Sequence, residues 1–437
     1  MSDRASVSPT VRLRSEVTCA HCWNTFPPQD TLWISAHENL AGQDHVLGAT
    51  TEQLRFLPSR FSPLGNAIDP KGEECTDLAC PRCHLPLPRA LLEMAPIFIS
   101  ILGAPSSGKS YLLASMIWQM RRAASAFRIR FDDADPSLNA FLMDYEEKFF
   151  LAAQDDQWVT LPKTEPEGDL YVPVMIDGRA VLLARPFVFG VQPLKGHPHE
   201  KHAKKLSRLL CLYDNAGEHF LPGEDSASRP GTGHLARSEV LLFLFDPTQH
   251  PRLRSALRKT SSDPQLNAER PTYQQHQILL EAANRIRRHA HLPQNEQLKK
   301  PLAVILTKYD VWGKLLGEEH FRADSATIAK LDLERLRGIS DQIRALLARH
   351  CPEFINAVDG FCSDVVYIPV SAVGNSPEEK SVGGDMTQLL VRPKDILPMW
   401  AEVPLLYALH RAVPGLIGAR SSDNGSSDNG SGELDYE

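Results

Sequence analysis

The octapeptide at residues 103–110 has the spacing of a loop that binds phosphate groups. It reads GAPSSGKS, fits the pattern G-x-x-x-x-G-K-S/T, and lies between an apolar run and a segment with helical spacing. The glycines of such a loop let successive backbone N–H groups face phosphate oxygens, and the dipole of the following helix favours negative charge. We expect Lys109 to contact the β and γ phosphates of a nucleotide and Ser110 to ligate Mg²⁺. The residues assigned to this part of the site are Gly103, Ser106, Ser107, Gly108, Lys109, Ser110 and Tyr111.

A second motif, D-x-x-G, follows the apolar run 209–213. Asp214 would hold Mg²⁺ through water, and the N–H of Gly217 would sense the γ-phosphate. The next residues, Glu218 and His219, stand where a side chain would orient the attacking water. A carboxylate beside the γ-phosphate is electrostatically unfavourable, so we expect slow intrinsic hydrolysis, with one of these side chains positioning water or a partner supplying an arginine. Taken alone, an Asp-x-x-Gly segment is also a common turn after a strand.

A third motif selects the base. Thr307, Lys308 and Asp310 belong to TKYD, which follows the apolar run 302–306 and fits N/T-K-x-D. In this motif the carboxylate accepts two N–H groups of a guanine edge and the lysine stem packs across the base. Adenine lacks that pair of donors, so a buried carboxylate would stay unpaired beside it. Ser371 and Ala372, after the apolar run 365–370, fit the short loop that completes such a base site. The motifs predict GTP or GDP with Mg²⁺.

Two C-x-x-C pairs near the N-terminus form a separate set of metal-binding candidates. Their members are Cys19, Cys22, Cys80 and Cys83, and four thiolates suit a tetrahedral, structural Zn²⁺ ion. The 57 residues between the pairs must form an insertion that brings the second pair back to the first. Cys75, His21 and His84 are further potential ligands, although a buried thiol or a solvated imidazole is the simpler interpretation of each.

The composition places few limits on partners. The chain has 437 residues, 42% of them hydrophobic, with 47 basic and 54 acidic side chains and a net charge of −7. Residues 1–92 carry 8 basic and 10 acidic side chains, which argues against nucleic-acid binding and favours docking to a protein. The sequence contains neither an apolar run approaching the roughly 20 residues that span a bilayer nor a secretory signal. We therefore expect a cytoplasmic protein without a membrane partner.

The spacing of apolar residues predicts the elements that position these motifs. Short apolar runs separated by helical patterns are typical of buried parallel strands, and the dipeptide Asp177-Gly178 suits a tight hairpin. The predicted strands are 97–102, 171–176, 180–184, 187–191, 209–213, 240–245, 302–306 and 365–370, and the helices predicted beyond the phosphate loop's own are 274–290, 326–348 and 399–411. Together they predict an α/β fold of three layers with a mostly parallel sheet and one antiparallel edge.

Composition also divides the chain into four segments. We expect a flexible N-terminus at 1–14, a zinc-ribbon-like module with an insertion at 15–92, a nucleotide-binding domain at 95–418 and a disordered tail at 419–437. The tail repeats SSDNG twice and has almost no apolar side chain to offset the entropy cost of ordering.

The order of the motifs resembles that of Ras-like P-loop GTPases of the translation-factor-related class. The phosphate loop, D-x-x-G, N/T-K-x-D and Ser-Ala occur in that order, each directly after a predicted strand, and the resemblance covers about residues 95–418. It implies a GTP-hydrolysing switch. It also implies that a threonine between the first helix and D-x-x-G closes on Mg²⁺ and the γ-phosphate, for which Thr164 is our candidate and Thr160 the alternative.

A narrower resemblance rests on CPRCHLPLP, just upstream of the phosphate loop, and on YDNAGE. With the zinc-ribbon-like start, these segments look like the double-GTPase family of bacterial conflict systems, in which two GTPases are encoded as a pair. That would make the chain a nucleotide-controlled switch in a defence-type pathway, acting with a second GTPase, an activating protein or an effector. Two alternatives stay open: a scaffold that exchanges GTP and GDP without useful hydrolysis, and an ATP-using P-loop enzyme.

Overall fold

A computed structural model describes residues 13–48, 51–160, 170–215, 217–221, 233–267, 273–316, 330–381 and 387–420, with the backbone alone at His219 and Thr387. The two ends predicted to be flexible or disordered lie outside these residues, apart from 13–14 and 419–420.

Short strands build the N-terminal module. They are β1 (Val17–Thr18), β2 (Thr25–Phe26), β3 (Leu32–Ile34), β4 (Arg55–Phe56), β5 (Ala67–Ile68), β6 (Glu74–Cys75), β7 (Leu78–Ala79) and β8 (Pro86–Leu87). The strands β4, β3, β7 and β8 form one antiparallel sheet in that order. The first cysteine pair lies in the turn between β1 and β2, and the second in the turn between β7 and β8. The inserted strands thus return the second pair to the first.

Alternating strands and helices build the rest of the described chain. The strands are β9 (Ala95–Gly103), β10 (Ile129–Asp133), β11 (Tyr171–Ile176), β12 (Arg179–Ala184), β13 (Phe187–Pro193), β14 (Arg208–Asp214), β15 (Val240–Phe245), β16 (Leu302–Leu306), β17 (Leu331–Asp332), β18 (Val365–Pro369), β19 (Glu378–Ser381), β20 (Thr387–Leu390) and β21 (Ala419–Arg420). The helices are α1 (Lys109–Ala123), α2 (Ala140–Phe150), α3 (Ala203–Leu206), α4 (Gly233–Arg237), α5 (Pro251–Leu257), α6 (Gln275–Ala290), α7 (Tyr309–Trp312), α8 (Leu333–His350), α9 (Pro352–Phe361) and α10 (Val403–Ala412).

Seven strands form the central sheet in the order β10-β13-β14-β9-β15-β16-β18. The five strands β14, β9, β15, β16 and β18 run parallel to one another. The strands β13 and β10 add an antiparallel edge beside β14. Helices α1 and α10 pack together on one face of the sheet, and α4 and α6 pack together on the other. The predicted α/β fold with a mostly parallel sheet is therefore confirmed. Parallel strands that are buried on both faces need apolar side chains throughout. This is why the sequences of β15 and β16 are uninterrupted apolar runs, from which both strands were predicted.

The edge strand β10 was not predicted from the sequence. Its residues IRFDD alternate between buried and more exposed side chains, so no continuous apolar run marks it. The predicted hairpin is present as β11 and β12, joined by Asp177 and Gly178 with φ of 51° and 73°. Positive φ at both turn positions matches the right-handed twist of the paired strands. The hairpin pairs apart from the central sheet, and β13 with β10 supplies the antiparallel edge instead.

The predicted helices are present with shifted ends. Helix α6 matches the prediction at 274–290 to within one residue, whereas α8 begins at Leu333 instead of 326. A carboxylate oxygen of Asp332 accepts the backbone N–H of Arg335 at 2.9 Å and caps α8. The residues just before α8 form β17, which pairs with β21 at the end of the described chain. Within the described residues, none of the helices is both long and apolar enough to cross a membrane.

The N-terminal module packs directly on the central sheet. Phe98 of β9 and Leu209, Cys211 and Tyr213 of β14 share one buried apolar cluster with the cysteine pairs and with the β11–β12 hairpin. Ser100 of β9 faces α4, because its hydroxyl hydrogen bonds with that of Ser238 just beyond the helix. Alternate residues of a strand share a face, so the module and α4 lie side by side on the same face of the sheet.

Candidate nucleotide site and cysteine cluster

The phosphate loop connects the end of β9 to the start of α1. Gly103 closes the strand so tightly against β15 that an added Cβ would lie 2.9 Å from the Cβ of Leu244. Ser106 and Gly108 have positive φ, of 60° and 91°, which turns the backbone back toward the helix. The loop therefore has the curled backbone that the glycine spacing predicted.

Lys109 at the first turn of α1 is buried inside this loop. Its ammonium donates to the carbonyl oxygens of Gly103 and Ala104, at 3.2 and 2.9 Å. Burial lowers the pKa of Lys109, and the nearby carboxylates of Asp214 and Glu218 act in the opposite direction. The positive charge thus lies between the phosphate loop and the D-x-x-G motif.

The D-x-x-G motif lies directly on the phosphate loop. Asp214 ends β14 and is buried, and Gly217, the last residue of the motif, begins a 3₁₀ turn. An added Cβ at Gly217 would lie 2.5 Å from the backbone N of Pro105 and 2.6 Å from the carbonyl oxygen of Gly103. Any residue larger than glycine would push the two loops apart, so the close approach explains the requirement for glycine at this position.

Glu218 follows Gly217 and lines the same cavity as Lys109. The side chain of His219 and the whole of Thr164 lie outside the described residues. The alternative switch residue, Thr160, is exposed at the rim of the cavity, where its hydroxyl lies 3.0 Å from that of Tyr111.

The N/T-K-x-D motif begins where β16 ends. The hydroxyl of Thr307 donates to the carbonyl oxygen of Ser107 at 3.1 Å, which ties this motif to the phosphate loop. Asp310 accepts a 2.5 Å hydrogen bond from the hydroxyl of Ser371, which itself accepts the backbone N–H of Gly374 at 2.8 Å. Burial raises the pKa of Asp310. The structure thus brings together the two segments that were assigned to the base.

Ala372 lies beside Ser371 in the cavity wall and contacts the first helix. Its carbonyl oxygen accepts a hydrogen bond from the Ser115 hydroxyl of α1 at 2.6 Å. One cavity of about 890 Å³ runs from Lys109 and Ser110 at the phosphate loop to Asp310 and Ser371 at the other end.

Sequence analysis missed a group of polar residues that follows β15 and contacts the predicted motifs. The ammonium of Lys308 lies 2.5 Å from a carboxylate oxygen of Asp246 and 3.2 Å from the hydroxyl of Thr248. The next residue, Gln249, donates to the carbonyl oxygen of Pro105 in the phosphate loop at 3.0 Å. The signal was the polar segment DPTQ directly after a buried strand, the same position relative to a strand as the four recognised motifs.

Tyr145 of α2 is a further residue that no motif indicated. Its phenol hydrogen bonds with the Ser110 side chain, and burial together with the Asp214 charge raises the pKa of Tyr145 to about 12. The phenol therefore stays protonated beside the two side chains assigned to Mg²⁺.

The four predicted cysteines meet in one buried cluster. Their sulfur atoms all lie within 4.8 Å of one another, with 3.8 Å between Cys19 and Cys83 and 3.6 Å between Cys22 and Cys80. Sulfurs bound to one tetrahedral Zn²⁺ at about 2.3 Å would be about 3.8 Å apart. The donor set and its spacing fit zinc, and the cluster fits a zinc-ribbon-like module.

The backbone around the cysteines repeats at both pairs. Trp23 and His84, each directly after the second cysteine of a pair, have positive φ of 56° and 58°. The backbone N–H groups of His21 and Arg82 point at the sulfurs of Cys19 and Cys80, at 3.3 and 3.4 Å. Such N–H groups stabilise thiolate charge, so the two turns form matching halves of one candidate metal site.

The three spare candidates have other partners. His21 Nε2 lies 3.2 Å from the carbonyl oxygen of Pro86, and burial lowers the pKa of His21 to about 4. His84 Nδ1 lies 2.7 Å from a carboxylate oxygen of Asp44, and the Cys75 thiol faces a backbone carbonyl. Among the described residues, the group that could hold a metal ion consists of the four cysteines alone.

No family model matches the chain. It is 22% identical over 391 residues to the putative ESX-1 scaffolding and assembly protein SaeC of Mycolicibacterium smegmatis, an alignment that covers 82% of this chain and 92% of that protein. Among solved structures it is similar to Aquifex aeolicus Era bound to GDP and aluminium fluoride (14% identity, TM-score 0.21) and to the S. cerevisiae Ski7 GTPase-like domain bound to GTP (15%, TM-score 0.23).

These alignments cover 68% and 64% of this chain, and the chain spans 62% and 43% of the two structures, less than two thirds of each. Because the identities and TM-scores are low, the assignment of the site rests on the chain's own residues.

Proposed function

We propose that the chain binds GTP and GDP with Mg²⁺ and hydrolyses GTP as a molecular switch. One observation carries the proposal: a single cavity is lined at one end by the phosphate loop with Lys109 and Glu218, and at the other by Asp310 and Ser371. The phosphate loop follows β9, and the two segments assigned to the base follow β16 and β18, so all three lie at the same edge of the parallel sheet. Ligands of α/β sheets bind at that edge.

The base end supports guanine over adenine. Asp310 is held in place by the Ser371 hydroxyl, and its carboxylate would accept both N–H groups of a guanine edge. Adenine offers no such pair of donors, so on binding it would cover the carboxylate without replacing its hydrogen bonds to water, at a cost of about 1–3 kcal/mol or more for a charged group. Because Asp310 pairs with guanine and not with adenine, we favour a guanine-nucleotide protein over an ATP-using enzyme.

The phosphate end supports Mg²⁺-dependent hydrolysis at a low intrinsic rate. Ser110 would ligate the ion directly and Asp214 through water, with Thr164 or Thr160 completing the site when GTP is bound. The N–H of Gly217 would contact the γ-phosphate. The charge of Glu218 near this phosphate opposes the reaction, so we propose that His219 or Glu218 orients the water and that a partner protein accelerates hydrolysis, for instance by supplying an arginine.

The cysteine cluster supports a structural Zn²⁺ ion in a reducing compartment. The eight cysteines, all among the described residues, form no disulfide, and four of them form the cluster. Thiolate ligands must stay reduced, which agrees with a cytoplasmic location. We propose that the outer surface of the zinc-ribbon-like module docks a protein partner.

The pathway is proposed from the resemblance stated above. We place the chain in a bacterial conflict or signalling system in which it acts with a second GTPase or an effector. The likeness to SaeC, which extends over 92% of that protein and whose name describes scaffolding and assembly, favours a second candidate. In that alternative the chain binds GTP and GDP to control an assembly and hydrolyses little.

Binding and turnover separate these candidates. We expect the wild-type chain to bind labelled GTP and not ATP, and Asp310→Ala to lose GTP binding; tight ATP binding by the wild type would overturn the guanine assignment. Single-turnover hydrolysis, with Lys109→Ala as the blank, then separates a switch from a scaffold. Rates of several per second without a partner would contradict the slow switch, and no hydrolysis above the blank, even with a partner, would favour the scaffold.

A further inference from the structure

The first cysteine turn touches the strand that leads into the D-x-x-G motif. Tyr213, the residue before Asp214, is fully buried and donates its phenolic hydrogen to the carbonyl oxygen of Ala20 at 2.5 Å. The same phenol accepts the indole N–H of Trp23 at 3.1 Å. Ala20 directly follows Cys19 and Trp23 directly follows Cys22, so both residues belong to the turn that the metal would hold.

A second contact reaches the other side of Asp214. The imidazole of His234 in α4 stacks on the Tyr213 ring with 4.4 Å between centroids, and its centroid lies 5.7 Å from that of Trp23. His234 Nε2 lies 2.8 Å from the side-chain oxygen of Asn215, the residue after Asp214. The Asn215 amide donates in turn to the carbonyl oxygen of Ile101 in β9 at 2.9 Å.

These contacts fix both neighbours of Asp214. Tyr213 is held by the cysteine turn, and Asn215 is held by His234, which itself packs against that turn. An added Cβ at Gly233, before His234, would lie only 3.2 Å from the Trp23 ring, so the indole leaves little free space. Close-packed side chains transmit displacement because they have no room to absorb it. A change in the cysteine turn would therefore move the motif that faces the phosphates.

We propose that Trp23 and His234 are positioning residues that link metal binding at the four-cysteine cluster to the GTP-bound state of the D-x-x-G motif. The inference rests on the proposed function. Gly217 would contact the γ-phosphate, which GTP has and GDP lacks, so a displaced motif weakens GTP binding more than GDP binding. Linkage is reciprocal: if bound zinc favours GTP over GDP, GTP retains zinc better than GDP does, by the same factor.

The test measures GTP and GDP affinities of the full zinc-loaded chain and of two conservative variants. Trp23→Phe keeps a ring and removes the N–H that Tyr213 accepts, and His234→Gln keeps a group that can bond Asn215 and removes the stacked ring. A non-hydrolysable GTP analogue replaces GTP. We expect each variant to lower the ratio of GTP to GDP affinity about fivefold or more, the low end of typical coupling between sites. Trp33→Phe is the matched control, because Trp33 lies in the same module and packs on Phe61 and Arg89 instead.

Retention of zinc gives a second readout, which starts from the wild-type chain. We expect a chelator to remove zinc from the wild-type chain less completely at equilibrium with the GTP analogue bound than with GDP bound, and the difference to shrink in Trp23→Phe. An unchanged affinity ratio in both variants, together with equal zinc retention in the two nucleotide states, overturns the inference while leaving the proposed function intact. A wild-type chain that binds neither nucleotide overturns the proposed function and this inference with it.

Discussion

The ammonium of Lys308 lies 2.5 Å from a carboxylate oxygen of Asp246, a side chain that is completely buried. The other carboxylate oxygen of Asp246 accepts the backbone N–H and the hydroxyl of Thr248, at 2.9 and 2.7 Å. A long, flexible lysine is thereby fixed at the edge of the cavity before any ligand binds. If its stem packs across a base, as the motif predicts, Asp246 reduces the entropy lost on binding.

We therefore predict that Asp246→Asn weakens GDP binding about two- to tenfold. The change removes the negative charge that holds the Lys308 ammonium, so the lysine side chain becomes more mobile. The remaining amide oxygen can still accept the hydrogen bonds from Thr248, so the turn after β15 is kept. Immobilising one such side chain costs roughly 0.5–1.5 kcal/mol. Titration with fluorescent GDP measures the affinity, and thermal unfolding shows whether the fold is kept. An unchanged affinity in a stable variant would show that Lys308 needs no support from Asp246.

The Asp310 carboxylate gives the sharpest test of base identity. In Asp310→Asn an amide N–H₂ takes the place of one acceptor oxygen. Xanthine carries a carbonyl where guanine carries an amino group, so the amide N–H₂ of the variant can donate to that carbonyl oxygen. We predict that this variant loses about one to two orders of magnitude in GDP affinity, the effect of roughly 1–3 kcal/mol, and gains affinity for xanthosine diphosphate. Competition between the two nucleotides measures the exchange, and a variant that keeps its preference for GDP would contradict the assigned role.

The same residue predicts a pH dependence of binding. Burial raises the pKa of Asp310 in the nucleotide-free protein, and only the ionised carboxylate accepts the guanine N–H groups. As the pH falls through that raised pKa, Asp310 takes up a proton that binding must release, so the affinity for GDP falls, by up to about tenfold per pH unit. We expect this loss to begin above about pH 4, the ordinary value for aspartate, because the pKa is raised. The GDP phosphates also titrate in this pH range, so Asp310→Asn is the control. The part of the pH dependence that is absent from Asp310→Asn belongs to the carboxylate.

The residues of this site that belong to local motifs could be predicted from the sequence. The contacts between residues far apart in the sequence could not. Lys109, Asp214 and Asp310 each follow a buried apolar strand, and parallel strands bring such positions to one edge of a sheet. The pair of Asp246 with Lys308 joins two segments 62 residues apart, and no local pattern indicates which charge meets which. The contact of Trp23 with Tyr213 spans 190 residues. Composition defined the N-terminal module but could not show that the sheet is its neighbour.

The four-cysteine cluster predicts that one cysteine change removes the metal while another does not. We expect Cys80→Ser to lose the zinc ion and to lower the melting temperature by several degrees, since the cluster packs against β14. Cys75→Ser is the matched control, because Cys75 is buried in the same module but lies outside the cluster. Metal analysis of the purified chains and thermal unfolding measure both effects. Full zinc occupancy in Cys80→Ser, or its loss in Cys75→Ser, would require a different ligand set.

Gly217 predicts a defect that is specific to the site. Its added Cβ would lie 2.5 Å from the backbone of Pro105, and backbone cannot move aside as a flexible side chain can. We expect Gly217→Ala to push the D-x-x-G motif off the phosphate loop and to reduce GTP-analogue affinity at least tenfold, with a smaller loss for GDP, because the Gly217 N–H is assigned to the γ-phosphate.

Gly338→Ala is the matched control for Gly217→Ala. It lies in α8, where an added Cβ meets nothing within 4 Å, and alanine in a helix is favoured over glycine by about 0.5–1 kcal/mol. This variant should therefore be slightly more stable and bind both nucleotides like the wild type. Equilibrium binding and thermal unfolding of the two variants separate a local effect at the site from a general effect of the added methyl group. Equal losses of GTP-analogue and GDP affinity in Gly217→Ala would mean that the motif supports the loop without sensing the γ-phosphate.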